Sequence, residues 1–322
     1  MSIPKLTVRV ARKTLIAEGI CCVELVSAND AQVLPAFSAG SHIDVHLPGS
    51  LVRQYSLCND PHETGRYVLG VLSDPNSRGG STAMHQAVME GGTLEVSAPK
   101  NHFELSPDAQ QHVLFAGGIG ITPILSMVQF LARNSQPFKM HYCTRSKATT
   151  AFTLALSAPA LAAHVTHYFD DAPDAPKLEL EAELKTVQAG THLYVCGPKG
   201  FMDWVLGTAR NYGWPENQLH YEFFAAEAPD LSDAGSFDVR IASTGQVIPI
   251  AKDKTVVQAL AECGIEIETS CEQGICGTCL TGVKEGRPDH KDLFLTQDEH
   301  DLNDQFTPCC SRSLSPLLVL DL

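Results

Sequence analysis

Residues 271–279 read Cys271-Glu-Gln-Gly-Ile-Cys276-Gly-Thr-Cys279, and a pair, Cys309–Cys310, follows thirty residues on. The spacing C-x4-C-x2-C…C is that of a plant-type [2Fe–2S] site. Four thiolates must converge on two irons, and backbone N–H groups must offset their charge. Gly274 and Gly277 let the loop curl around such a cluster without Cβ clashes, and soft thiolates suit iron–sulfur chemistry. Zinc is the competing ion, but zinc sites usually offer two C-x-x-C pairs. Here only Cys276 and Cys279 are so spaced, and the distal cysteines are adjacent. Spacing alone leaves either Cys309 or Cys310 as the fourth ligand.

Working outward, five of the chain's 11 cysteines crowd this last segment, and the other six (Cys21, Cys22, Cys58, Cys143, Cys196, Cys263) are scattered. Disulfides are rare in reducing compartments. The scattered thiols therefore read as small buried hydrophobes and the crowded ones as metal ligands. Of the 322 residues, 44% are hydrophobic and 19% charged, an ordinary globular balance for two or three domains. No apolar run approaches the roughly 18–20 residues of a membrane helix, and the N-terminus lacks a signal core. The expectation is a complete cytoplasmic protein with no membrane association. A net charge of −14 disfavours nucleic acid, which needs a basic footprint, and is able to steer a basic protein partner.

The chain changes rhythm twice. Residues 1–106 carry short alternating runs broken by Gly, Pro, Asn and Asp, which predicts an antiparallel β-barrel. One helix is expected there at STAMHQAVMEG, with Ser81 as N-cap and Gly91 past its end. Over 107–227, strand-like runs alternate with helical ones, which predicts a parallel-sheet α/β domain. Residues 228–236 sit in an Ala/Asp/Ser/Pro-rich stretch without apolar period and read as a linker. Residues 237–322 form the third segment: a hairpin turning at Thr244–Gly245, a helix at TVVQALAECG, the cysteine loop and a closing strand, LLVLDL.

The tail Gly286-Arg-Pro-Asp-His290-Lys-Asp292, the run Pro308-Cys309-Cys310-Ser311-Arg312 and the ending LVLDL resemble the phthalate dioxygenase reductase family, which includes vanillate O-demethylase reductases. The resemblance runs over residues 1–322 and implies a multidomain β and α/β protein ending in a β-grasp-like ferredoxin domain. The family pattern of Cys, one variable residue, then Ser-Arg maps the fourth ligand onto Cys309, giving Cys271, Cys276, Cys279 and Cys309.

The resemblance extends to two further sites. Arg53-Gln-Tyr55-Ser56 is similar to the flavin motif of ferredoxin-reductase-like barrels. Arg53 would pair with a phosphate, Tyr55 offers a flat ring, and Ser56 offers a hydroxyl to flavin N5. Arg78-Gly79-Gly80-Ser81-Thr82 leads into a helix, a ready anion site. In the family that phosphate belongs to FMN, and no insertion that would hold the adenosine half of FAD is visible. The turn Gly117-Gly118-Ile-Gly120-Ile-Thr122-Pro123 follows the strand HVLFA and opens a helix. Small residues there let backbone approach a pyrophosphate, and Pro123 suits a first helical turn. It resembles the family's nicotinamide-nucleotide motif. Cys196-Gly197-Pro198 is placed by the resemblance beside the hydride path, Thr144 and Arg145 near the adenosine ribose, and Glu222 and Phe224 at the family's E-x-F ending, where an aromatic ring covers the flavin. Ser56, Cys196 and Phe224 are the catalytic candidates. Arg145 does not decide between NADH and NADPH.

The resemblance implies a reductase component passing electrons from NADH through FMN to [2Fe–2S] and on to a separate Rieske-type oxygenase. Hydride arrives as two electrons and the cluster accepts one at a time, so the flavin must stand between them. A stand-alone NAD(P)H:acceptor oxidoreductase fits the same motifs. A redox sensor would leave the flavin and nicotinamide motifs without use. The 13 histidines are dispersed, and none is expected in a two-His-one-carboxylate metal site.

Overall fold

The computed structural model describes residues 5–29, 31–49, 51–75, 77–173, 175–224 and 235–322. The chain falls into two compact units, 1–222 and 223–322. Most of the 228–236 stretch read as a linker lies outside the described residues.

The first unit opens with strands β1 (Lys5–Ala17), β2 (Ile20–Ser27), β3 (His42–Leu47), β4 (Leu51–Ser56), β5 (Arg66–Leu72) and β6 (Thr93–Ser97), with helix α1 (Gly80–Gln86) between the last two. They pair in the order β4-β3-β6-β1-β2-β5, every pair antiparallel. A bridge from Leu57 to Leu69 ties the end of β4 back to β5, joining the two edges of the sheet, as a barrel requires. Its interior holds Val8, Val23, Leu25, Ile43, Val45, Leu69 and Val96, residues that alternate along their strands as the period-2 pattern demands.

Helix α1 starts differently from the sequence expectation. Its N-cap is Gly79, at φ +91, a left-handed conformation suited to glycine. Ser81 sits in the first turn, and its hydroxyl accepts a hydrogen bond from the Asp74 N–H at 3.2 Å. The helix ends at Gln86, short of Gly91.

The same unit continues with a parallel sheet: β7 (Gln111–Gly117), β8 (Phe138–Thr144), β9 (Val165–Phe169), β10 (Thr191–Cys196) and β11 (Leu219–Glu222), in the order β11-β10-β7-β8-β9. Helices α2 (Ile121–Arg133), α3 (Thr153–Leu156), α4 (Pro159–Ala162), α5 (Leu180–Leu184) and α6 (Lys199–Asn211) make the crossovers. The chain steps from β7 outward to β9 and then returns to the other side of β7, so strand order reverses between β7 and β10. In open α/β sheets, ligands bind outside the carboxyl ends of strands at such a reversal. Helix α2 is buried along most of its length, and its core includes Ile20, Cys58 and Val68 from the barrel. Ser126 Oγ donates to Asn59 O at 2.9 Å, and Gln129 Nε2 to Cys58 O at 2.8 Å. Residues of the barrel therefore pack into the core of the parallel-sheet domain, beside the barrel's own interior.

The second unit contains β12 (Phe237–Ile241), β13 (Val247–Ile250), α7 (Val256–Glu262), β14 (Thr281–Glu285), β15 (Pro288–Asp289), α8 (Gln297–Leu302), β16 (Gln305–Phe306), β17 (Arg312–Ser313) and β18 (Leu317–Leu320). The sheet order is β13-β12-β18-β14-β16. The first hairpin turns at Gly245, φ +73, and its first strand lies parallel to the last strand of the chain. Helix α7 begins in a capping box between Thr255 and Gln258 and buries Val256, Ala259 and Leu260 against Val239, Ile250, Leu318 and Leu320. Arg312, 4% exposed, pins the layers: it donates to Lys254 O (2.7 Å), Gly235 O (2.9 Å) and Ala251 O (3.2 Å) and stands over the Phe237 ring at 5.1 Å. Lysine cannot reproduce that fork. Arg312→Lys is expected to cost about 2–3 kcal/mol, seen as a lower urea midpoint of the full chain.

Candidate functional site: a cysteine centre and a flavin–nucleotide crevice

In the second unit all four sequence-assigned cysteines are buried: Cys271 at 7% exposed, Cys276 at 6%, Cys279 at 3% and Cys309 at 6%. None of the eleven cysteines forms a disulfide. The loop 271–279 bends through Glu272 (φ +55), Gly274 (φ +71) and Gly277 (φ +67). Both glycines are needed for space as well as for conformation. A Cβ on Gly274 would strike Cys310 Sγ and Asp292, and one on Gly277 would enter the Phe294 ring.

The curl turns donors onto sulfur. The Gln273 N–H lies 3.3 Å from Cys271 Sγ, and Cys276 Sγ is 3.3 Å from Thr278 Oγ1. The sulfurs pair as Cys271 with Cys276 and Cys279 with Cys309. The contact with Cys271 pulls the Cys276 thiol below its ordinary value, while contact with Cys279 pushes Cys309 up to about 12. Sulfurs set this close, with N–H groups aimed at them, fit a thiolate-ligated cluster. Cys310 touches the Cys309 sulfur and is otherwise held by hydroxyls: its sulfur lies 3.3 Å from Thr307 Oγ1 and 3.8 Å from Ser311 Oγ.

In the first unit the expected flavin residues gather on β4 and the start of α1. Arg53 donates to Val52 O (2.7 Å) and Arg78 O (3.1 Å), and its stem lies where a Cβ of Gly80 would be. The glycine thus brings a guanidinium against the start of α1, with Ser81 and Thr82 in its first turn. Arg53 and Tyr55 share one face of β4, and Gln54 and Ser56 the other. Tyr55 packs in part against the barrel interior.

Ser56, 6% exposed, donates to Glu222 Oε2 at 3.4 Å. Glu222 is the last residue of β11, paired in register with Cys196 on β10. Burial pushes the Glu222 carboxyl up to about 8 and the Cys196 thiol well above its ordinary value, so both hold their protons at neutral pH. Phe224 lies two residues beyond β11 and is 37% exposed.

The two turns read from the sequence as nucleotide-binding meet at the β7/β10 reversal. Gly118–Gly120 forms a single 3₁₀ turn, and the backbones of 117–120 and 196–197 abut. A Cβ on Gly120 would clash with Cys196 O and lie 2.6 Å from Gly197 N. Gly120→Ala is therefore expected to raise KM for NADH at least about tenfold while the visible spectrum of the cluster stays unchanged. Thr122 Oγ1 turns back onto Ile119 O at 3.0 Å, and Pro123 sits in the first turn of α2. Thr144, at the end of β8, spends its hydroxyl on Thr150 Oγ1 (2.7 Å) and Ser146 O (3.3 Å), inside its own turn. Arg145 beside it is exposed.

Sequence reasoning missed His42. It lies opposite Ser56 in the β3–β4 register, 3% exposed, with Nδ1 4.0 Å from Glu222 Oε1 and neither ring nitrogen hydrogen-bonded. Burial pulls it down to about 4, so it is a neutral ring beside a protonated carboxyl. The available signal was the polar His42/Asp44 face of a strand whose other face is Ile43, Val45 and Leu47. The alternation marks that face but does not reveal that another element covers it.

Among known proteins, residues 97–219 match the N-terminal domain of dimethylamine monooxygenase subunit DmmA-like proteins, and residues 239–314 match the 2Fe-2S iron-sulfur cluster binding domain. A vanillate O-demethylase oxidoreductase of Pseudomonas sp. strain HR199 is 54% identical over 96% of this chain and 97% of its own. A solved phthalate dioxygenase reductase, described as a modular structure for electron transfer from pyridine nucleotides to [2Fe–2S], is 35% identical, with TM-score 0.76 over 99% of this chain and 98% of its own. An intact type IV self-sufficient cytochrome P450 monooxygenase is 37% identical, with TM-score 0.87 over 99% of this chain, which spans only 41% of that protein. A match over essentially its whole length places this chain in the phthalate dioxygenase reductase family.

Proposed function

We propose that this protein is the NADH-dependent reductase component of a two-component Rieske-type oxygenase that acts on an aromatic acid, as a dioxygenase or O-demethylase. The observation that carries the reading is two close pairs of buried thiols, three on a glycine-curled loop and the fourth at Cys309, on a chain that also carries the two glycine-rich turns read as nucleotide-binding. The functional segments are 1–106 for FMN, 107–227 for NADH, 228–236 as linker and 237–322 for the cluster. Eleven cysteines without a disulfide fit a reducing, cytoplasmic setting. Among the described residues no helix is long and apolar enough to cross a membrane.

When bound, the flavin converts a two-electron delivery into single electrons, and the cluster carries those onward. The chain's own residues position these groups. Arg53 and the N–H groups and hydroxyls of 79–82 hold the FMN phosphate. Ser56, fixed by Glu222, presents its hydroxyl to the flavin ring, and Tyr55 lines the same strand. Gly118, Gly120, Thr122 and Pro123 admit the pyrophosphate, with Gly197 and Pro198 closing the opposite side. Cys196 keeps a neutral thiol at the nicotinamide, Thr144 and Arg145 border the ribose, and Phe224 shields the flavin. Cys271, Cys276, Cys279 and Cys309 hold the irons.

The test is reconstitution. With NADH and a purified Rieske oxygenase from the same source, substrate turnover is expected only when this protein is added. Equal turnover without it, or rapid NADH oxidation by quinones with none through the oxygenase, would replace the reading with a stand-alone oxidoreductase.

A further inference from the structure

The tail segment that helped mark the family also builds a second polar pocket, which the flavin and nucleotide sites leave unused. His290, Asp292 and His300 lie together, although the sequence reading left the histidines dispersed. The Asp292 side chain is fully buried. It accepts hydrogen bonds from the Leu295 N–H at 2.9 Å, Ser311 Oγ at 3.3 Å and His300 Nε2 at 3.3 Å. His290 Nδ1 stands 3.6 Å from its other oxygen. The two imidazoles stack, centroids 4.2 Å apart and planes 20° from parallel. The His290 side chain is 9% exposed, and neither of its nitrogens completes a hydrogen bond.

Three ligand atoms this close could suggest a metal. Imidazole lone pairs lie in the ring plane, however, and two stacked rings aim them nearly parallel instead of at one point. The arrangement suits a proton shared among a carboxylate and two rings. It also adjoins the cysteine loop: Leu293 N–H donates to Gly274 O at 2.9 Å, and a Cβ on Gly274 would touch Asp292 and Cys310 Sγ together. A buried anion so placed opposes the arrival of a further negative charge, and a neighbouring base that takes a proton removes the opposition.

We propose that the His290–Asp292–His300 pocket takes up one proton from solvent as one electron enters the adjacent cluster, and so sets how the cluster's potential depends on pH. The inference rests on the cluster reading above. The balance is simple: NADH, through the flavin, supplies the electron to the cluster, water supplies the proton, one N–H bond forms on an imidazole, the pocket gains one positive charge, and the combined charge of cluster and pocket is unchanged. The other charges nearby are accounted for. Lys291 pairs with Asp289 at 3.1 Å. On α8, Glu299 closes the Thr296 cap at 2.8 Å and Gln297 binds Asp301 at 2.9 Å. Arg312 is bonded to carbonyls of 235, 251 and 254. From the 307–311 turn come only Thr307, Ser311 and the Cys310 thiol. Hydrogen bonds from Leu295 and His300 outweigh burial and hold the Asp292 carboxyl below its usual range, while burial lowers His290, so the uptake falls on the acid side of neutrality.

The experiment is a spectroelectrochemical titration of the cluster in the full holoprotein from about pH 5 to 8. The midpoint is expected to fall as pH rises, approaching about 59 mV per pH unit for one proton per electron. His290→Gln and His300→Gln should flatten it, with the cluster spectrum intact. A flat wild-type profile on a normal cluster, an unchanged slope in both variants, or stoichiometric zinc at these residues would overturn the proposal. If the variants lose the cluster, the imidazole titrations of wild type followed by NMR in both oxidation states decide it: identical midpoints overturn it. A preparation with no cluster signal at all would instead overturn the reading beneath.

Discussion

Cys309→Ser is expected to abolish the visible absorption of the iron–sulfur centre and to cut NADH-driven reduction of cytochrome c, a one-electron acceptor, at least about 100-fold. Cys310→Ser should preserve both. The sequence offers two adjacent thiols and no spacing argument that separates them. The structure separates their surroundings. Cys309 faces Cys279, completing the second sulfur pair, while Cys310 touches only Cys309 among the cysteine sulfurs, bonds Thr307 and Ser311 and fills the space beneath Gly274. Reduction of ferricyanide by the flavin should survive in Cys309→Ser, because none of its residues lies in the cluster loop. The reverse outcome, loss of the cluster in Cys310→Ser alone, would reassign the fourth ligand.

Glu222→Gln should have the second largest effect, in two measurements. Burial raises the folded carboxyl to about 8 against an ordinary 4.5 for the unfolded chain. The folded state therefore binds more protons between those values. Its stability is complete below about 4.5 and declines as pH rises through about 8. Glutamine keeps an acceptor for Ser56 without a titrating proton. Urea unfolding should thus show similar stabilities at about pH 5 and a variant more stable by a few kcal/mol above about pH 8. Flavin reduction by NADH should slow about 100-fold and lose any ionisation near pH 8, because glutamine still accepts from Ser56 but cannot give or take a proton there. A variant whose stability parallels wild type across the range would remove the buried proton from the account.

Much of this was legible in the sequence, and the reason is physical. Period-2 runs such as HIDVHL and short apolar runs such as RYVLGVL, with turn residues between them, permit few alternatives to paired strands, and HVLFAGG followed by a helical run permits little but a β-turn-α phosphate element. The cysteine loop was readable because its chemistry requires fixed spacing. What escaped depends on which strands come to lie side by side. His42 meets Glu222 across 180 residues, through the pairing of β3 with β4 and of β10 with β11. His290 and His300 meet only because α8 brings His300 back against the residue that follows β15. Ser81 was misread for a smaller reason: a serine ahead of an apolar run resembles a cap, but Gly79 could take the left-handed conformation one turn-step earlier, freeing Ser81 to bond Asp74. The hydroxyl of Thr144 is a similar case, spent on Thr150 where sequence alone shows only a threonine at a strand end.

The most direct test of the central claim is an anaerobic NADH titration of the purified holoprotein, followed by absorption and by electron paramagnetic resonance. The account expects flavin bleaching together with a rhombic [2Fe–2S] signal approaching about one spin per chain, and no such signal in Cys309→Ser. A protein that bleaches its flavin but develops no iron–sulfur spin, with zinc in place of iron on analysis, would contradict it.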